Sequence, residues 1–267
     1  MTVSGSAERR GAPDERVRLP VGRAEWLTQT FVHWPYRPED VRGLLPRELA
    51  VDAYDGTAWV SLTPFVMTRV RPPGRPGALL SRTRLSRLLT FPETNLRTYV
   101  RGPGGRDGLW FLDIEAGSAA TPAARAAVGA PYHWADLSVT CHGGVVGYAG
   151  SRRGGGPSYR LAARPGDPLA PTALDHWLTA RWRAYTRRFG ILWEVPVRHE
   201  PWPLASATLE ELHETLLEAV GLPRPAGPPL VHYSPGVRQV RFGVPRLHRG
   251  NSGRAARGRS RPGAGAA

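Results

Sequence analysis

Lysine is absent from this 267-residue chain, so all 36 of its Lys and Arg positions are arginine. Enzymes that form a Schiff base through a lysine are therefore excluded, including the usual pyridoxal-phosphate enzymes. The same absence excludes a P-loop, which needs a lysine on its phosphates, and an ordinary protein-kinase site. Any chemistry that this chain performs must use other side chains.

Cysteine and long apolar runs are also scarce. Cys141 is the only cysteine, so no internal disulfide can form, and a reducing, cytoplasmic location is expected. Residues 1–21 lack the apolar segment of a secretory signal, and no run of about 18 apolar residues predicts a membrane span. The Gly-x-Ser-x-Gly of α/β-hydrolases and the Gly-x-Gly-x-x-Gly of dinucleotide sites are missing as well.

Arginine is in excess, and the formal net charge is +14. Much of that excess lies in residues 1–23 and 246–267, which are rich in Gly, Ala, Ser and Arg and are predicted to be disordered tails. Residues 24–245 are then a single domain. The C-terminal tail carries arginines without any acid, which suits nonspecific contact with nucleic acid, although a solvated tail is the simpler interpretation.

The domain reads mainly as strands. Consecutive hairpins indicate a largely antiparallel sheet, and closure into a barrel would remove its exposed edges. Hairpins are predicted for residues 49–54 with 57–70, 94–101 with 109–116, and 132–141 with 145–152. Helices are predicted for residues 38–45, 119–128, 171–187 and 206–220. We therefore expect a mainly β, α+β fold with helices flanking an antiparallel β-barrel.

A row of polar side chains follows one predicted strand. Strand alternation places Glu93, Asn95, Arg97 and Tyr99 on one face and uncharged side chains on the other. If the polar face points into a closed sheet, it forms a binding surface. If it points to solvent, it is an ordinary hydrated face, and the alternation alone is compatible with both.

Two other stretches admit functional and structural interpretations. His133, at the start of a strand, is a candidate general base or a partly buried histidine bonded to the backbone. Residues 181–188 are a candidate anion or nucleic-acid site, or the solvated end of a helix. The eight histidines lack metal-binding spacing, so no cofactor or metal is expected, although a site built from scattered histidines stays open.

Several separated motifs resemble the YqjF-like family of uncharacterised bacterial proteins. They follow one another over residues 26–242: His33-Trp34-Pro35, Leu44-Leu45-Pro46, Phe91-Pro92-Glu93-x-Asn95-x-Arg97-Thr98-Tyr99-Val100, and His232-Tyr233-Ser234-Pro235-Gly236-Val237. That family is grouped with the acetoacetate decarboxylase superfamily. The resemblance therefore implies a cone-shaped antiparallel β-barrel with an internal cavity.

The resemblance also bears on mechanism. Acetoacetate decarboxylases carry two adjacent lysines after Gly-x-Pro, and one of these lysines forms an imine with the substrate. Gly129-Ala130-Pro131 is similar, but Tyr132 and His133 follow it, so this chain is not a Schiff-base decarboxylase. Glu93 resembles the glutamate that those enzymes place on a cavity strand.

If the polar face points inward, as the resemblance favours, its groups suit a small carboxylate or keto acid. Arg97 would bind the anion, Asn95, Tyr99 and Tyr132 would orient it, and Glu93 or His133 would move a proton.

Whether the protein is an enzyme stays open. The alternatives are a binding or sensing module without turnover, and a nucleic-acid-associated protein that acts through its basic tail. Nothing in the sequence specifies or excludes a homo-oligomer.

Overall fold

The computed structural model describes residue 17 and residues 20–71 and 90–248. The strands are β1 (Gly22–Tyr36), β2 (Ala50–Val51), β3 (Ala58–Arg71), β4 (Phe91–Arg101), β5 (Asp107–Ala116), β6 (Tyr132–His142), β7 (Val145–Arg152), β8 (Ser158–Pro168), β9 (Arg183–Arg188), β10 (Ile191–Arg198), β11 (Ala205–Glu214), β12 (Leu230–Phe242) and β13 (Arg246–His248). The helices are α1 (Pro38–Arg42), α2 (Thr121–Val128), α3 (Ala173–Thr179) and α4 (Leu216–Ala219).

The described strands form one sheet that closes on itself twice. The first ring runs β5–β6–β7–β8–β11–β12–β1–β3–β4 and returns to β5. The second ring runs β5–β9–β10–β12–β1–β3–β4 and also returns to β5. The strands β1, β3, β4, β5 and β12 belong to both rings, so they form a wall with one ring on each side.

The first ring encloses an apolar core. Side chains from the shared wall meet side chains from β7 and β8 across it, and the buried members include Val32, Val60, Leu62, Leu96, Tyr148 and Leu161. Two hydrogen bonds cross the same space, from Thr30 to Tyr148 at 2.9 Å and from Thr94 to Tyr159 at 2.5 Å. Hydrophobic burial is therefore the main force that holds this ring together.

The second ring takes the opposite face of the same wall. Successive side chains of a strand point to opposite faces, so the neighbours of the apolar residues face β9, β10 and α3. On this side lie buried polar residues such as His33, Ser61 and Glu93. The architecture therefore separates an apolar interior from a polar one.

The predicted fold class is confirmed, and so are two of the predicted hairpins. β4 pairs with β5 and β6 pairs with β7, both antiparallel. The hairpin predicted for residues 49–54 with 57–70 is wrong. Asp55 and Gly56 do form a turn, closed by a bridge between Tyr54 and Thr57, but β2 pairs with β4 and not with β3. β5 also makes parallel pairs with β6 and β9, in an otherwise antiparallel sheet.

Of the four predicted helices, two are confirmed and two do not have the predicted extent. The ones near residues 38–45 and 119–128 are confirmed as α1 and α2, and α2 ends at Gly129 with a left-handed φ of 73°. The long helix at 171–187 is correct only in its first part, because α3 ends at Thr179 and Arg183–Arg188 form strand β9. The helix at 206–220 is wrong, because most of that segment is strand β11 and only Leu216–Ala219 are helical.

Two strands extend slightly beyond the predicted domain limits. β1 starts at Gly22, and Arg246–His248 form β13, which pairs with β10 instead of belonging to a tail. The remainder of both predicted tails lies outside the described residues, apart from residues 17, 20 and 21. Across the described ranges, no helix has the length and apolar character required to cross a membrane.

Candidate functional site

The predicted polar row lies inside the second ring. We use the name polar core for Glu93, Asn95, Arg97 and Tyr99 of β4 together with Tyr132 of β6. Glu93, Asn95 and Tyr99 are buried. Arg97 and Tyr132 lie deep in the molecule, yet they keep some accessible surface, which indicates interior space beside them. The structure therefore brings together five of the six residues that the sequence analysis selected.

Arg97 is a buried cation without an acidic partner. No carboxylate among the described residues forms an ion pair with it, and its Nε has no hydrogen-bond partner. It contacts the Tyr99 hydroxyl, and its guanidinium carbon lies 5.6 Å from the centre of the Phe31 ring. Burial lowers the pKa of Arg97. A bound anion would neutralise this charge, because an isolated buried cation is strongly disfavoured.

Glu93 is a buried acid that forms no ion pair with any of the described basic residues. Burial raises its pKa to about 8, and a hydrogen bond from Asn95 offsets only part of that rise. Glu93 is therefore protonated at neutral pH and able to donate a proton. Tyr132 lies close enough for the Glu93 charge to affect it, and burial first, then Glu93, raises the pKa of its phenol.

Tyr99 begins a chain of hydrogen bonds that leads away from Arg97. Its hydroxyl donates to the Leu178 carbonyl oxygen at 2.8 Å and lies 2.7 Å from the Ser61 hydroxyl. Ser61 in turn lies 2.6 Å from His33 Nδ1. His33 is fully buried, and burial first, then the charges of His232 and Arg97, lowers its pKa well below the usual value. This histidine is therefore neutral at physiological pH.

A second histidine lies beside the first. The His33 and His232 ring centres are 5.4 Å apart and the rings are close to perpendicular. His232 Nε2 bonds Asp175 Oδ1 at 2.9 Å. Asp175 is held in turn by Thr172, whose hydroxyl and backbone N–H both donate to Asp175 Oδ2 at the start of α3. The capping motif of a short helix thus fixes the carboxylate that orients His232.

Aromatic rings line the same interior beyond Phe31. Trp202 meets Phe31 edge-on with ring centres 5.2 Å apart, and it stacks on Trp26 at 6.1 Å. His199 packs against Trp182 and Trp202, and burial lowers its pKa to about 4. These rings therefore carry no charge that could pair with Arg97.

His133 is placed apart from the polar core. It follows Tyr132 directly, and adjacent residues of a strand point to opposite faces, so the two cannot share one interior. His133 Nε2 lies 3.7 Å from Asp113, which with Glu115 is bridged by Arg152. Burial lowers the pKa of His133, with Asp113 opposing that change. A general-base role in the polar core therefore falls to other residues.

Arg181 and Arg183, in the predicted helix end, are buried, whereas Arg187 is exposed. Arg181 pairs with Asp52 at 2.7 Å and with Asp107 at 3.0 Å, and its side chain is only 2 % exposed. Arg183 pairs with Asp107 at 3.0 Å. These arginines belong to a buried ion network that joins α3 and β9 to the wall, so the interpretation of this segment as the solvated end of a helix is wrong.

The sequence analysis did not select His33, Ser61, Asp175 or His232. His33 and His232 were quoted only within the motifs that carry the family resemblance. Asp175 lies in the part of the predicted helix 171–187 that is helical, but nothing in the sequence marked its carboxylate, and Ser61 carried no signal of its own. Two surface clefts on the described part of the chain, one beside Trp134 and one beside Pro131, contain none of these residues.

Comparison with known proteins agrees with this architecture. Residues 23–238 match the DUF2071 family of uncharacterised conserved proteins. The uncharacterised protein YqjF of Bacillus subtilis (strain 168) is 34% identical over 220 residues, which are 79% of this chain and 86% of that protein.

Solved structures with low sequence identity share the fold. An acetoacetate decarboxylase-like enzyme from Sphingomonas wittichii RW1 superposes with a TM-score of 0.59 at 19% identity, over 89% of this chain and 98% of that one. The enduracididine biosynthesis enzyme MppR, complexed with pyruvate, gives a TM-score of 0.59 at 15% identity, over 88% and 93%. The acetoacetate decarboxylase of Legionella pneumophila gives 0.58 at 12% identity, over 89% and 92%.

Proposed function

Since the chain belongs to the YqjF-like DUF2071 family and has the acetoacetate decarboxylase-like fold, we propose that it binds a small carboxylate, of the keto-acid class, in the polar core. Arg97 binds the carboxylate and Glu93 donates a proton to the ligand. The absence of lysine from the chain leaves no lysine to form an imine, and the residues of the polar core suit acid–base chemistry.

The unpaired Arg97 guanidinium is the observation that carries this proposal. Buried charges in proteins are normally paired, and a planar guanidinium pairs best with a carboxylate through two parallel hydrogen bonds. Arg97 has no such partner among the described residues. An anionic ligand supplies the missing partner. The pyruvate complex of MppR, which has the same fold, adds support for a keto acid.

Glu93 determines what happens to a bound ligand. Glu93 and Arg97 are four residues apart on one strand, about 13 Å along its axis, so a small molecule fits between their side chains. With a pKa of about 8, Glu93 holds a proton at neutral pH, and this proton stabilises negative charge that develops on a carbonyl oxygen.

Binding tests the proposal directly. Calorimetry with pyruvate and a series of small carboxylates compares the wild type with Arg97→Gln, and the highly exposed Arg47→Gln serves as the matched control. We expect the affinity to fall about tenfold or more in Arg97→Gln only. Equal affinities in all three proteins, or no binding by any carboxylate, would contradict the proposal. Recovery of every bound ligand unchanged would favour the non-catalytic binding module.

The nucleic-acid alternative depends on the net charge of +14 and on the arginines of the C-terminal tail. Beyond His248 that tail lies outside the described residues, so this alternative stays a prediction. The cytoplasmic location and the oligomeric state stay predictions as well.

A further inference from the structure

Two nitrogen atoms of buried histidines have no hydrogen-bond partner among the described residues. They are Nε2 of His33 and Nδ1 of His232. The proposed function uses neither histidine. Buried polar atoms usually have a hydrogen-bond partner. Two nitrogen atoms without one, on rings whose centres are 5.4 Å apart, therefore need an explanation.

The hydrogen-bond chain from Leu178 fixes the protonation of His33. The Leu178 carbonyl only accepts, so the single proton of the Tyr99 hydroxyl is used there, at 2.8 Å. The Tyr99 oxygen must then accept the Ser61 proton, over 2.7 Å. Ser61, with its proton used, must accept from His33 Nδ1 over 2.6 Å. His33 therefore carries its proton on Nδ1 and has a lone pair on Nε2.

His232 follows the same logic with a shorter chain. An ionised carboxylate only accepts hydrogen bonds, so the proton of His232 is on Nε2, facing Asp175 at 2.9 Å. Nδ1 of His232 is then unprotonated as well. The structure thus presents two basic nitrogen atoms in one interior, each in a tautomer that a neighbouring acceptor imposes.

We propose that His33 is the general base of the polar core and that its Nε2 removes a proton from the carbon next to the carbonyl of a keto acid held by Arg97. This inference rests on the proposed function. His232, oriented by Asp175, is a positioning residue that packs against His33. Ser61 and Tyr99 are positioning residues that hold the tautomer of the base.

The position of the anion site selects His33 over His232 as the base. The Arg97 guanidinium lies against the Phe31 ring at 5.6 Å, and the His33 ring stacks parallel to that ring at 5.9 Å. The charge of Arg97 also contributes to the lowered pKa of His33, whereas the charged group that acts on the pKa of His232 is Asp175. A carboxylate on Arg97 therefore brings its neighbouring carbon atoms closest to His33.

The step balances without any further reactant. The C–H bond breaks and an N–H bond forms at His33 Nε2, while the electron pair forms a carbon–carbon double bond. The carbonyl oxygen takes the proton of the Glu93 carboxyl group, which gives a neutral enol, a carboxylate and an imidazolium. When the proton on His33 Nε2 exchanges for deuterium from the solvent before the reverse step, that step returns deuterium to the carbon, so the reaction observed in heavy water is exchange of hydrogen for deuterium at that carbon.

Proton NMR of pyruvate in heavy water measures this exchange as loss of the methyl signal. We expect the wild type to catalyse it and His33→Gln to slow it about 100-fold or more. Ser61→Ala should slow exchange with little change in pyruvate affinity, because the base loses its tautomer while Arg97 is retained. The exposed His142→Gln is the matched control and should exchange at the wild-type rate.

The dependence of the rate on pH supplies a second signature. Since burial holds the pKa of His33 below its usual value, the rate should stay level as pH falls through about 6.5, the usual histidine value. Above about 8 the rate should decline, because Glu93 loses the proton that it donates. A rate that instead rises with pH throughout would overturn the pairing of base and acid.

The outcomes separate this inference from the proposed function. Pyruvate binding that depends on Arg97, without exchange or with exchange that survives His33→Gln, overturns the inference and leaves the proposed function intact. If no carboxylate binds, both fail. Nitrogen-15 NMR of the ligand-free wild type gives an independent check that needs no variant to fold: a protonated Nε2 on His33 would overturn the inference by itself.

Discussion

The two rings share one wall, yet the side chains at the centres of their interiors differ in polarity. On the apolar side, Leu96 and its neighbours are buried against other hydrocarbon side chains. On the polar side, one residue away along the same strand, Arg97 has no ionic partner and Asn95 Oδ1 has no hydrogen-bond partner within the part of the chain that the structure describes. Hydrophobic burial in the first interior stabilises the fold. Unsatisfied polar groups in the second interior lower the free energy of unfolding. Such groups typically mark a functional site.

The largest effect should come from the apolar core. Leu161→Ala removes a fully buried side chain from its centre and leaves a cavity. We expect the free energy of unfolding to fall by about 2–5 kcal/mol in urea denaturation. Leu247→Ala, at an exposed position of β13, should change it by less than about 0.5 kcal/mol. Similar losses in the two variants would break the comparison between the rings.

Glu93→Gln should sharpen the comparison through its pH dependence. Unfolded Glu93 ionises near pH 4.5, whereas folded Glu93 keeps its proton until about pH 8. Between these values the folded state binds more protons, so rising pH destabilises the wild type through this group. Glutamine does not ionise, so the variant should gain on the wild type by up to about 1.4 kcal/mol per pH unit across that window.

Denaturation series at several pH values measure the difference in free energy of unfolding between the variant and the wild type. Its pH-dependent part should vanish below pH 4.5 and level off above about 8. The exposed Glu218→Gln should show no such trend. A constant offset between Glu93→Gln and the wild type at all pH values would show that Glu93 titrates normally.

The smallest effect should be a gain from Arg97→Met. Replacing an unpaired buried cation with an apolar side chain of similar length removes a desolvation cost, but it also removes the contacts with Phe31 and Tyr99. We expect a net stabilisation of about 1 kcal/mol without ligand. Arg181→Met takes one of its two arginine partners from the buried Asp52 and leaves only Arg101, so thermal unfolding should show a loss of about 1–3 kcal/mol instead. Matching losses in the two variants would imply a hidden anionic partner for Arg97.

The sheet could be predicted where pairing is local. β4 and β5 form a hairpin, and so do β6 and β7. The turn residues and the side-chain alternation that predict each hairpin lie in one continuous stretch of sequence. β9 was missed although it forms a local hairpin with β10, with Arg188 opposite Ile191, because the apolar side chains of the segment have helical spacing. Its parallel pairing with β5, with Leu109 opposite Ala184 about 75 residues away, has no signal in consecutive residues. Strand pairing overrode the helical spacing of the segment.

The error in β11 has a specific geometric cause. Leu209 and Leu212 are three residues apart, which is typical of one face of a helix. In the structure a register shift between Leu209 and Glu211 inserts one extra residue into the strand. Both leucines then pack against the apolar core. A β-bulge therefore reproduced a helical pattern.

The candidate site was predictable only in part. Alternation placed Glu93, Asn95, Arg97 and Tyr99 on one face, but the direction of that face came from the family resemblance. The pairing of His232 with Asp175 joins positions 57 residues apart and needed the fold. The tautomer of His33 depends on the Leu178 carbonyl, which no side-chain pattern reveals.

A shared wall also constrains how this protein can change. Inserting or deleting a single residue in β4 would turn Arg97 toward hydrocarbon and Leu96 toward the charged site at the same time. The register of each wall strand is therefore constrained by side-chain packing in the interiors of both rings. Variation in what the protein recognises should accumulate instead in α3, β9 and β10, which touch only one of them, so engineering of new specificity should begin there.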